Sequence, residues 1–142
     1  MDRAALDAAL AFGLPVGGWC PRGRLAEDGP IDPRYPLRET PSASYPQRTE
    51  WNVRDSDGTL VLTGGRPRGG TALTFALARR LGRPCLVLDL DADPDPDEIR
   101  RWAEAEEIAT LNVAGPRESQ HPGIHEATRA FLETALRSLA SI

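Results

Sequence analysis

Apolar and polar positions change rhythm along this chain, and each change marks an element. From residue 59 onward, continuous apolar runs alternate with stretches of helical period. "TLVLT" (59–63) is followed by a helix over 71–81, "PCLVLDL" (84–90) by a helix over 96–106, and "ATLNVAG" (109–115) by a helix over 123–140. An apolar run without alternation reads as a strand covered on both faces. Strands separated by single helices form a parallel sheet, because the crossover needs about a dozen residues and lays a helix over the sheet. The pattern predicts an α/β, Rossmann-like parallel sheet with helices on both faces, in one ligand-binding domain spanning 1–142.

The amino-terminal third is less regular. Residues 2–12 read as a helix in which Leu6 and Leu10 are flanked by Ala5 and Ala9, with Gly13 closing it. "LPVGGW" is a short strand candidate. Residues 20–45 are so rich in proline and glycine that they fit no regular element, and a loop of this length inside a domain is more often functional than idle. A second helix is predicted with Ser44 as N-cap and Pro46 at its first position, running through "QRTEWNVRDS" and stopping before Asp57 and Gly58.

Composition narrows the class of partner. With 17 Lys and Arg against 21 Asp and Glu the formal net charge is −4, and no basic stripe interleaved with aromatics occurs, so nucleic-acid backbone binding is not the expected task. No apolar stretch is long enough to span a bilayer. Cys20 and Cys85 lie far apart without metal-ligand spacing, which fits free thiols in a reducing cytoplasm. A small anionic molecule is the expected ligand.

The glycine-rich turn "GGRPRGGTALTFAL" (64–77) joins a strand to a helix. Leu73, Ala76, Leu77 and Leu81 make an apolar stripe in that helix, and its start falls at Gly70 and Thr71. Unpaired N–H groups there, beside glycines that allow close approach, suit a phosphate or another oxyanion. The spacing of Gly64, Gly69, Gly70 and Thr71 is that of a P-loop with glycine in place of its lysine. Without that cation nucleoside triphosphate hydrolysis is not expected, whereas one phosphate held by Gly69, Gly70 and Thr71 is. Arg66 and Arg68 are read as solvated charge, with added attraction for the anion as the alternative.

Other constellations are weaker. "DLDADPDPDE" fails as a calcium loop, since Pro96 and Trp102 stand where glycine and glutamate are needed; Asp95 and Pro96 instead start a helix. Asp89 ends a strand on the edge that carries Gly70, so it either accepts a hydrogen from a ligand or caps the turn. Asn112, Gly115, Arg117 and Ser119 follow the last strand on the same edge, and Asn52 and Asp57 are candidates from the polar helix that precedes the first. His121 and His125 lack a third ligand and read as surface residues; no metal site is expected. No nucleophile elbow is present, so covalent catalysis has no candidate.

The segments "DRAALDAALAFGLPVGGWCPRGRLAEDGPI", "YPQRTEWNVRDSDGTLVL", "GGTALTFALARRLGRPCLVLDL" and "LNVAGPRES" resemble, in this order, the family of proposed molybdenum cofactor carriers, which is similar to the circularly permuted YpsA-type branch of the SLOG superfamily. The resemblance covers nearly the whole chain. It implies a Rossmann-like cytoplasmic protein that assembles as a homo-oligomer and binds the molybdenum cofactor (molybdopterin), a pterin with a terminal phosphate. It places the family's second glycine loop on Gly69, Gly70 and Thr71 and its polar helix on Arg48 to Asp57. Such proteins begin with a strand and a "GGQTG" turn before the aspartate that is Asp2 here, so the resemblance implies that this strand and one of two ligand loops are missing from the chain as given. The turn is also similar to that of the Lonely Guy phosphoribohydrolases, but Ala72, Leu73, Thr74 and Phe75 stand where those enzymes carry a glutamate.

The reading that results is a non-catalytic carrier of a phosphorylated pterin or another nucleotide-like molecule. Its phosphate sits on Gly69, Gly70 and Thr71, with polar contacts from Asn52, Asp57, Asp89 and Arg117. The alternatives are a nucleotide hydrolase or transferase with Glu50 or Asp57 as acid/base, and a sensor of a nucleotide-derived ligand.

Overall fold

The computed structural model describes residues 2–11, 17–26, 29–67 and 69–140. Helix α1 (Asp2–Ala11) precedes four two-residue strands: β1 (Trp19–Cys20), β2 (Leu25–Ala26), β3 (Gly29–Pro30) and β4 (Arg38–Glu39). Helix α2 (Tyr45–Arg54) leads into β5 (Gly58–Thr63), and then α3 (Gly69–Arg80), β6 (Cys85–Asp89), α4 (Asp97–Ala105), β7 (Leu111–Ala114) and α5 (Ile124–Ala140) alternate as predicted. Gly13, the first three residues of "LPVGGW" and Arg68 lie outside the described residues.

The strands β6, β5 and β7 form a parallel sheet in that order, with β5 in the middle. All six residues of β5 are buried, as expected for a strand bonded on both sides and covered on both faces. Leu60 and Leu62 point to one face, where they join Ala8, Leu88, Ile99, Leu132 and Ala135 from α1, β6, α4 and α5. By alternation Thr59, Val61 and Thr63 face the other side, the one covered by α2 and α3. The α/β sheet with helices on both faces is therefore the observed fold.

Two stripes differ from the sequence reading. In α3 the buried positions are Thr71, Thr74, Leu77 and Ala78, while Leu73 and Leu81 are each 37% exposed and Ala76 is exposed. The face opposite α3 carries threonines on β5 and the neighbouring helix α2, so small residues fit there better than leucines. Thr74 meets its own need by donating its hydroxyl to the Gly70 carbonyl at 2.9 Å. In α1, Ala4, Leu6 and Ala8 are buried and Leu10 is 43% exposed.

One side chain gathers the middle of the proline-rich segment. The Arg24 guanidinium donates to the carbonyls of Ile31, Leu37, Asp32 and Tyr35 at 2.9–3.2 Å, so it stands in for the ladder that these residues cannot make. Tyr35, 2% exposed, donates its hydroxyl to Asp7 Oδ1 at 2.6 Å and so ties the segment to α1. Strand β1 pairs in parallel with β4, and Asn52 holds β1 against α2: its Oδ1 accepts from the Trp19 N–H at 2.8 Å and its Nδ2 donates to the Trp19 carbonyl at 3.1 Å.

Arg24→Ala leaves four carbonyls to find other donors, and we expect it to cost about 2–3 kcal/mol. Urea unfolding checks this: the midpoint falls with the slope unchanged, and an unchanged midpoint would show that the segment is held by something else.

Candidate functional site

Helices α2 and α3 both run from the carboxyl edge of the sheet back to its amino edge, because each is joined to β5 at one end. Their first turns open on one cleft of about 320 Å³. From α2 come Tyr45, Arg48, Thr49 and Asn52, spaced as one face of a helix; from α3 come Gly69, Gly70 and Thr71; from the end of β7 and the following loop come Asn112, Gly115, Arg117 and Gln120. Each helix start carries unpaired N–H groups and roughly half a positive charge, so two dipoles converge on this space. Two arginines add full charges. The Arg117 guanidinium lies 4.3 Å from the Tyr45 ring centroid and that of Arg48 lies 5.4 Å from it, so the ring carries both. No Asp or Glu is among the described residues that line the cleft.

Gly69 has φ +52, a left-handed conformation that favours glycine. A Cβ at Gly70 would meet nothing within 4 Å, so the backbone here stands open to an incoming group. Thr71, 5% exposed, lies at the base.

Five of the seven residues singled out from sequence, Gly69, Gly70, Thr71, Asn52 and Arg117, line this cleft. The structure does not bring Asp57 or Asp89 to it. Asp57 stands before β5, at the amino edge of the sheet, where Oδ2 accepts the N–H groups of Ala109 and Thr110 at 3.0 and 2.8 Å. Asp89 is on the ligand edge but uses Oδ1 to accept the N–H groups of Gly65 and Asp91, both at 2.9 Å. It caps the turns after β5 and β6, the second of the two roles its position allows. The amide of Asn52 reaches the cleft but is already engaged by Trp19.

Tyr45 and Gln120 escaped the sequence reading, and Arg48 was seen only as part of a polar helix. The signal was present. Positions 45, 48, 49 and 52 are polar or amphipathic at helical spacing in a helix whose start was already predicted. Glu50 pairs with Arg80 at 3.6 Å and does not line the cleft. His121 lies before α5 and His125 within it, so they do not share a helix. Among the described residues no group of three or more His, Cys, Asp or Glu could hold a metal ion. Burial raises the pKa of both thiols, Cys20 and Cys85, which fits unreactive packing residues.

The comparisons agree with this architecture. The sequence model of the "Circularly permutated YpsA SLOG family" matches residues 1–136. The chain is a member of that family. A crystal structure of the "Putative molybdenum carrier protein" of Syntrophus aciditrophicus SB is similar to it at 45% identity, covering 95% of this chain and 87% of that one with a TM-score of 0.90. At that identity the likeness extends beyond the α/β Rossmann-like fold to the sequence that builds it. No curated protein matches the chain. Membership in a SLOG family supports a ligand-binding role, and the cleft at the carboxyl edge is where an open α/β sheet places a ligand.

Hydrogen bonds from Thr110 and Ala109 hold the Asp57 pKa below the ordinary carboxylate range. Because the folded value is depressed, the stabilisation is complete above the unfolded-state value and is lost as the pH falls through the folded one. Asp57→Asn is therefore expected to lower the thermal midpoint at pH 7, with the gap from the parent chain closing as the pH drops below about 4. Calorimetry across this range checks it, and a gap as wide at about pH 2 as at pH 7 would contradict it.

Proposed function

We propose that this SLOG protein is a binding and carrier protein for a small phosphorylated ligand, and that its cargo is the molybdenum cofactor, a pterin with a terminal phosphate. The observation that carries the reading is the meeting of two helix starts and two guanidiniums in one cleft without a lining carboxylate among the described residues. A phosphate placed on the N–H groups of Gly69, Gly70 and Thr71 answers donors that the helix itself leaves open, and Arg48 and Arg117 neutralise its charge. Thr49, Asn112 and Gln120 offer a hydroxyl and amides to the heterocycle. The volume is at the small end of ligand pockets, which suits one ring system and one phosphate better than a triphosphate.

The name of the Syntrophus relative supports molybdenum cargo. With no cluster of protein metal ligands among the described residues, the cargo would be held through its phosphate and ring. A hydrolase reading would need a carboxylate at the cleft, and Glu50 and Asp57 are both placed elsewhere. The reading includes a reducing cytoplasm, supported by two free cysteines. It also includes self-association, which would cover exposed leucines such as Leu81 and Leu111; sedimentation at the monomer mass at all concentrations would overturn that part.

Titration calorimetry tests the central reading. A phosphorylated pterin is expected to bind at least about tenfold more tightly than the same pterin without its phosphate, and Arg117→Ala to weaken it about tenfold. Gly70→Asp combined with Thr71→Ala should abolish binding while the chain still unfolds cooperatively, since Gly70 has open space for a side chain. Equal affinity for the two pterins, binding that survives the double change, or turnover of a nucleoside monophosphate would each overturn it.

A further inference from the structure

We propose that His121 is a positioning residue for the cleft: its imidazole sits in the notch left by the absent side chain of Gly64 and thereby fixes where Arg117 stands. The proposal rests on the binding reading above for its functional meaning, while its geometry stands independently.

Gly64 is not a glycine for conformational reasons. It has no positive φ, unlike its neighbour Gly65 at φ +90. What a side chain would meet is the ring of His121: a Cβ would come within 2.9 Å of Nδ1 and closer still to Cε1 and Nε2. The first glycine of the P-loop-like spacing is thus occupied from the side by an imidazole. His121 Nε2 is also 4.0 Å from Asp91 Oδ1, on the turn that Asp89 caps. Because Asp89 holds Gly65 as well, the wall that receives the ring is fixed on both sides.

His121 is coupled to Arg117 through a closed piece of backbone. The Arg117 carbonyl accepts the N–H groups of Gln120 and His121 at 3.0 and 3.1 Å, and the Arg117 N–H donates to Gln120 Oε1 at 3.2 Å. Glu118 fastens the same piece to α5 by accepting from the N–H groups of Gly123 and His125. These bonds close the segment from Arg117 to His121 on itself and fix it to the start of α5. One end of it is seated at Gly64, and at the other the Arg117 guanidinium lies on Tyr45 at the cleft. His121 itself does not line the cleft, so it acts through Arg117.

A double-mutant cycle tests this, with inorganic phosphate as the probe and ³¹P line broadening as the readout. Gly64→Ala and His121→Ala are each expected to weaken phosphate binding about threefold to tenfold. Gly64→Ala should add nothing in a His121→Ala background, where no ring opposes the new methyl group, and neither change should add anything in an Arg117→Ala background. A purely structural role would give losses that persist without Arg117. The second readout needs no ligand: with the guanidinium 4.3 Å from the Tyr45 ring centroid, ring current is expected to shift the Arg117 δ-methylene protons upfield, and both single changes should move them toward the unstacked value. Additive losses, or an Arg117 shift unmoved by either change, would overturn the role of His121. Failure of phosphate to bind the parent chain would instead sink the binding reading, with the Arg117 shift still deciding the positioning role. His121→Ala leaves the backbone at Gly64 untouched, so the test survives if Gly64→Ala does not fold.

Discussion

The arrangement depends on β5 being buried at all of its positions and bonded in parallel on both sides. A strand in that situation has no free edge and no wet face, so each chain segment joined to it must leave along the sheet axis and return over a face. That requirement brings α2 into β5 and takes α3 out of it on the same side. Both helices consequently begin at the carboxyl edge. Two helix starts meeting in one cleft is a result of strand burial before it is a feature of any ligand.

The charge of the cleft follows from what these first turns carry. Tyr45 opens α2 and supports Arg48 from its own helix and Arg117 from the loop after β7, so one aromatic ring gathers two cations beside the open backbone of α3. Acidic groups near this region are committed to backbone N–H groups: Asp89 between the turns after β5 and β6, Glu118 at the start of α5. These bonds hold the two carboxylates on the backbone, and among the described residues only arginines bring full charge to the cleft. Asn52 holds β1 against α2 and so steadies the wall on which Tyr45 stands, while Arg24 gathers the carbonyls of the long proline-rich segment.

The alternating half of the chain was legible because its periods are unambiguous: a fully apolar run has few readings once helices flank it. Helix α3 shows the limit of that logic. The leucines Leu73 and Leu81 make the more hydrophobic stripe, yet Thr71 and Thr74 are the residues turned inward, because the partner surface selects for size and for a local hydroxyl bond as well as for apolarity. Site residues fared according to how their position constrains them. Gly69, Gly70 and Thr71 had to lie at a helix start on the carboxyl edge, and do. Asp57 precedes β5 in the chain, which already puts it at the opposite edge; reading it as a ligand residue gave weight to its chemistry over its place. The stripe of Tyr45, Arg48, Thr49 and Asn52 was readable but needed the question of why one face of a helix on a sheet should be polar. The fit of His121 on Gly64 joins residues far apart in sequence, and no local pattern announces it.

In the proposed binding mode the start of α3 holds a phosphate with Arg117 across from it. A crystal structure with a phosphorylated pterin tests this most directly. Phosphate oxygens are expected within hydrogen-bond distance of the Gly70 and Thr71 N–H groups and of the Arg117 guanidinium, with the ring directed toward Asn112. Density that places the phosphate elsewhere, or the ring at Gly70 with the phosphate in solvent, would contradict it.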